Sequence, residues 1–153
     1  MRVRQLIVGA AAAVALTGAA TGAALADAHT VSDQRVLIMK GIAGHMKALG
    51  AVAKGEAAAN AGTAVHGQAI QELALSVRFL WPEGSGGADT RAKDEIWQQW
   101  DKFMAASDAF KNAAPQLAAA AKTGDRGQIG AALGAVGKTC GGCHKPFRKP
   151  KPN

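Results

Sequence analysis

Residues 128–147 read QIGAALGAVGKTCGGCHKPF. Ile129, Leu133, Val136, Cys140 and Phe147 recur at steps of four, three, four and seven, which places them on one face of a helix. Three stretches upstream carry the same period. The first spans Val31 to Gly55, with Met39, Ile42, Met46, Leu49 and Ala53 as its apolar stripe, Ser32 or Asp33 in the N-cap position and Gly55 as its stop. The second spans Thr63 to Leu80, with Val65, Ala69, Leu73 and Val77 as stripe and Ile70 and Leu80 alongside, and ends at Trp81-Pro82. The third spans Lys93 to Lys122 and holds Ile96, Trp97, Trp100, Phe103, Met104, Phe110 and Leu117, with Pro115 inside it as an expected kink or restart.

The connections fit the same scheme. PEGSGGADT at 82–90 is a Gly-rich loop, Thr123-Gly124-Asp125 is a tight turn, and the prolines of the terminal RKPKPN oppose helix. Four helices with three connections predict an all-α fold, an antiparallel up-down-up-down four-helix bundle.

The bundle is expected to occupy residues 27–153. Residues 1–26 have the layout of a signal peptide: Arg2 and Arg4, an apolar run from Leu6 to Leu16, and Ala24-Leu25-Ala26 before Asp27. The apolar run is too short to span a bilayer. Export to the periplasm follows from this reading, as does a mature chain without a membrane span. Removing residues 1–26 takes two arginines and lowers the formal charge from +7 to +5.

Of the 127 remaining residues, 28 are Leu, Ile, Val, Phe, Trp or Met and 26 are Ala. Alanine favours helix but fills little volume. This disfavours a β-rich fold or a disulfide scaffold, and leaves a core short of bulk unless a cofactor fills it.

Cys140-Gly141-Gly142-Cys143-His144 names that cofactor. C-x-x-C-H is the attachment pattern of c-type haem. On a helix, Cys143 lies three residues and His144 four residues after Cys140, so all three can face one ring. The thiols can form thioethers with two vinyl groups and the imidazole can reach the iron. A dithiol redox pair would call for a βαβ context, and a zinc site for a second cysteine pair; the sequence has neither.

His144 is the expected proximal ligand. Met39, Met46, Met104, His29, His45 and His66 are the candidates for the opposite face. The histidines fit solvated positions, His29 ahead of the first helix, His45 off its stripe and His66 at a polar helix start. Met39 and Met46 share a face two turns apart, and the period does not choose between them.

The mature chain resembles the class II c-type cytochromes, the cytochrome c-prime family. The resemblance rests on CGGCHKPFR near the C-terminus, RVLIMKGIAGHMKALGAVAKGE in the first helix, LWPEGS, and IWQQWDKF. It implies an antiparallel bundle around one covalent haem c. It places Met39, four residues after Arg35, at the distal position, Arg35 near the haem propionates and Arg148 beside the proximal face. LGAVAKGE looks closest to the low-spin members, in which a first-helix methionine is the sixth ligand.

The expected function is electron transfer through a low-spin iron held by His144 and Met39, with no enzymatic activity. The alternative is a high-spin, five-coordinate protein binding NO or CO. Lys138, Lys145, Arg148, Lys149 and Lys151, with no acid after Lys138, form a basic rim suited to an acidic redox partner. No nucleic-acid module is present in the sequence. The family often dimerises through its first two helices, which makes a homodimer a further expectation.

Overall fold

The computed structural model describes residues 20–151, with side chains from Thr30 onward. The expected signal peptide lies largely, and the His29 side chain entirely, outside the described residues. Helix α1 spans Ala20–Lys54, α2 Ala61–Ser76, α3 Glu95–Gln98, α4 Trp100–Thr123 and α5 Arg126–Phe147; a 3-10 turn, Val77–Phe79, extends α2. Helices α1, α2, α4 and α5 pack as a four-cornered bundle in which each touches the two beside it. No named strand occurs among the described residues.

The connections enforce the antiparallel order. Lys54 is followed by Gly55 at φ 80°, a left-handed residue that closes α1. Asn60 then opens α2 through a capping box. Its side chain accepts from the Gly62 N–H, and its own N–H donates to Thr63 Oγ1. Gly124, at φ 69°, ends α4, and the Asp125 carboxylate accepts from the Gln128 N–H to start α5.

Several boundaries differ from the sequence reading. Helix α1 runs unbroken through Ser32 and Asp33, so neither caps it; the alanine-rich segment before them contains no proline. The third segment divides at Gln99 (φ −125°, ψ 47°), whereas Pro115 lies inside an unbroken α4. Pro115 is on the exposed side, where water can satisfy the carbonyl that the proline leaves free. Helix α5 likewise continues through Pro146 to Phe147.

The α2 stripe is rotated from its expected position. Thr63, Gly67, Ile70, Ala74 and Val77 face inward, while Val65 is 62% exposed. Close approach decides this face. A Cβ on Gly67 would come within 2.5 Å of Ala121 Cβ and 3.0 Å of Ala118 Cα, so α2 and α4 meet almost backbone to backbone. From Thr30 to Lys54, α1 is long and apolar enough to cross a bilayer, but Ile42, Leu49 and Val52 are buried in the bundle core.

Substitution Gly67→Ala should destabilise the holo-protein by about 1–3 kcal/mol through overpacking. Gly134→Ala, where a Cβ meets nothing within 4 Å, should instead stabilise by up to about 1 kcal/mol. Denaturant unfolding of the two variants checks both signs.

Candidate functional site

The apolar interior has two parts. One runs through the bundle and includes Ile42, Leu49, Ile70, Phe110, Leu117, Ile129 and Val136, with Ile38, Met39, Met46 and Cys140 packed against it. The other consists of Ala92, Ile96, Phe103 and Phe147, with Trp81, Trp97, Met104 and Cys143 against it. The two cysteines, one helical turn apart on α5, therefore face different clusters, and the motif lies along the seam between them.

The second cluster is fastened to the end of α5. Lys93 N–H donates to Phe147 O at 3.1 Å, and Lys149 N–H donates to Arg91 O at 2.7 Å. The Arg91 guanidinium donates twice to Lys149 O, at 3.0 and 2.7 Å. Trp97 Nε1 reaches the Trp81 and Pro82 carbonyls, and Trp81 Nε1 reaches Val77 O at 2.7 Å. An open cleft of about 350 Å³ lies between Trp81, Glu83, Trp97 and Trp100.

Both cysteines are free and half-buried. Burial pushes the Cys143 thiol up to about 11, with Cys140 adding to the shift and Arg148 opposing it. Burial raises Cys140 as well, against the opposing effects of its backbone, Thr139 and Arg148. A dithiol redox pair needs a depressed thiolate pKa, so both shifts run against that chemistry. His144 is moved the other way: burial first, then the Arg148 and Arg91 charges, lower its pKa. The neutral imidazole so favoured is the form that ligates a metal.

Arg35 is 4% exposed. Its guanidinium lies 4.7 Å from the centre of the Trp81 ring, and one terminal nitrogen donates to the Ser85 carbonyl. Nε and the other terminal nitrogen are buried without a partner. Burial lowers the Arg35 pKa, yet a guanidinium stays charged in proteins. The site thus offers a buried cation with two free donors, suited to a carboxylate.

These residues fit a covalent haem. Two thiols and one imidazole share one stretch of helix, and a Cβ on Gly141 or Gly142 would meet nothing within 4 Å. The seam is apolar on both sides, and Arg35 supplies unsatisfied donors for an acidic edge.

The other expected residues are placed less uniformly. Arg148 is exposed and caps α5 through its N–H to His144 O, while its charge reaches both thiols and the imidazole. Met39 and Met46 are half-buried against the bundle core, and Met104 against the second cluster. His45 and His66, expected in solvent, are half-buried and paired across α1 and α2. The sequence reading missed Arg91, whose bond to Lys149 joins positions 58 residues apart. It also missed the function of Ser85; only the Gly-rich composition around it marks that loop.

Residues 30–148 match the family model described as Cytochrome C'. A cytochrome c' from Rhodospirillum rubrum is 39% identical over 146 residues, covering 95% of this chain and 97% of the relative. A cytochrome c-556 from Agrobacterium tumefaciens is 33% identical over 76% of this chain and 92% of its own length. The crystal structure of cytochrome c' from Rubrivivax gelatinosus aligns with a TM-score of 0.71 at 34% identity, covering 78% of this chain and 94% of that one. Two variants of cytochrome c prime from Alcaligenes xylosoxidans, one with bound NO and one with bound carbon monoxide, align at 27% identity. Their TM-scores are 0.74 and 0.73, with 81% and 80% of this chain and 97% of each of theirs covered.

The expected closeness to low-spin, methionine-ligated members is not what these similarities favour: cytochromes c' match at 39% and 42% identity and cytochrome c-556 at 33%. Met39 packs against the bundle core. The four-helix bundle and one covalent haem c are properties this chain shares with its relatives. It belongs to the cytochrome c' family.

Proposed function

We propose that this protein is an exported haem protein whose iron is held by His144 and left open on the opposite side to NO or CO. The observation that carries the reading is the similarity to cytochromes c prime with NO and carbon monoxide bound. Bound haem supplies a redox-active iron with an axial position for a diatomic ligand.

The chain's own residues do the rest. Cys140 and Cys143 would anchor the ring, and Arg35 would pair with a propionate through its two free donors. Met39 would cover the open face. Within one turn of it on α1 stand Arg35, Val36, Ile42 and Ala43; none is a carboxylic acid or an imidazole, and the Arg35 guanidinium stays protonated, so this stretch offers no general acid for peroxide chemistry.

A second reading keeps Met39 as sixth ligand and the protein as an electron carrier. The cytochrome c-556 similarity and the side chain's place on α1 favour it. In either reading, exposed Lys138, Lys145 and Lys151 would steer an acidic redox partner. Lys149 is engaged instead, its Nζ donating to Gly87 O at 3.0 Å and Thr90 O at 3.3 Å. Exposed Val36, Leu37, Val65 and Leu75 would serve a second copy of the chain. The N-terminal pattern supports a periplasmic location.

Optical spectra of the reduced protein decide between the readings. A high-spin spectrum, CO binding, and a spin state unchanged in Met39→Leu are the expected results. A low-spin spectrum with a sulfur-to-iron band that Met39→Leu abolishes, opening the site to CO, would establish the second reading. Arg35→Leu should lower the midpoint potential, because a nearby positive charge favours the ferrous form. The expected change is on the order of 1 kcal/mol, or about 40 mV for one electron; an unchanged potential would remove Arg35 from the haem edge. Replacing Lys138, Lys145 and Lys151 with Gln should slow association with an acidic redox protein and flatten its dependence on ionic strength, as measured by stopped-flow electron transfer.

A further inference from the structure

His45 on α1 and His66 on α2 meet with Nδ1 atoms 2.8 Å apart and ring centroids 5.1 Å apart, so the two nitrogens point at each other. One proton fills such a contact: one Nδ1–H donates and the other Nδ1 accepts. Both rings are half-buried. The haem site has no use for either, and neither lines the tryptophan cleft.

We propose that His45 and His66 form a two-imidazole site for a divalent transition-metal ion, Cu(II) above others, which takes the place of the shared proton and ties α1 to α2. Metal–imidazole bonds of about 2.0–2.1 Å put two nitrogens about 2.9 Å apart at a right angle and about 3.4 Å apart at a tetrahedral angle. The nitrogens therefore need to part by a few tenths of an ångström while the rings, now 51° from coplanar, tilt toward a common point.

The surroundings favour that adjustment. A helical side chain tends to lean over the turn before it, and here the residues four before each ring, Gly41 for His45 and Gly62 for His66, carry no side chain to obstruct a tilt. The neighbours three and four residues away are Gly41, Ile42, Ala48 and Leu49 for His45, and Gly62, Thr63, Ala69 and Ile70 for His66. None is a cation that would repel a metal. Among the described residues no three His, Cys, Asp or Glu side chains converge, so water completes the coordination. With only two imidazole ligands, affinity follows the metal's intrinsic preference, which peaks at Cu(II).

The test uses untagged ferric holo-protein, which Cu(II) cannot oxidise further, with His29→Ala in every sample. That background is needed because a chain beginning at Asp27 would carry His29 third from a free amino group, a separate Cu(II) ligand set. Titration with Cu(II) alone near neutral pH should show one bound ion, nitrogen splitting from two imidazoles in its paramagnetic resonance spectrum, and a raised unfolding temperature. His45→Gln and His66→Gln should each weaken binding by at least about tenfold, the loss at which even second-shell changes begin. Each should abolish the rise in unfolding temperature and leave the haem spectrum unchanged. Cu(II) affinity in either variant equal to that of the parent, or a parent resonance without two-imidazole splitting, overturns the proposal. Should one variant fail to fold, the other and the parent's resonance spectrum still decide.

Discussion

Cys140 and Cys143 are fixed to one turn of α5, but they pack against different bodies of apolar side chains. That constraint governs the rest of the structure. The bundle core and the Trp81–Phe147 cluster must both be in register with α5 for the motif to face the seam between them. The bonds between the 80–95 segment and the chain's end serve this register. Lys93 to Phe147, Lys149 to Arg91, and Arg91 back to Lys149 hold a loop that has little regular structure of its own. Each such bond contributes only about 1 kcal/mol net, but together they stop the loop from sliding along the helix that carries the chemistry.

Electrostatics makes the same point. A buried guanidinium needs its donors satisfied, since each one left bare costs about 1–3 kcal/mol or more. Arg35 has the Ser85 carbonyl and the face of Trp81, yet two nitrogens remain unpaired. Two nitrogens of the guanidinium are thus left for a partner outside the chain's own hydrogen bonds, a geometry suited to a carboxylate. Since Arg35 lies on the same helix as Met39, satisfying it also sets the rotation of α1 over the site.

The helices and the haem motif were legible because their signals are local: a 3.6-residue period, a C-x-x-C-H spacing, glycine after a helix end. What was not legible depends on partners distant in sequence. Val65 looks like a core residue, but Gly67 takes the inward position because α4 presents Ala118 and Ala121 there. Pro115 looks like a break, but the chain bends at Gln99, where no breaker residue stands. His45 and His66 each look like isolated polar residues until two helices pack and bring them together. Arg148, four residues after His144, acts on the imidazole by its charge while its side chain is exposed.

The abundance of alanine takes its meaning from where the large residues are. At the end where α1 meets α2 and α4 meets α5, small residues let the helices close. Gly67 approaches Ala118 and Ala121, and a Cβ on Gly124 would stand 3.2 Å from Ala59 Cβ. At the opposite end lie Trp81, Trp97, Trp100, Phe103 and Phe147, with Trp81 and Phe147 both edge-on to Phe103 at 4.9 and 5.3 Å between centroids. Large rings thus gather at the end opposite the close approach of α2 to α4. The motif and Arg35 stand at the aromatic end. The shortage of bulk along the chain is therefore uneven: small residues crowd one end, and aromatic side chains surround the other, where Cys143 of the haem motif packs.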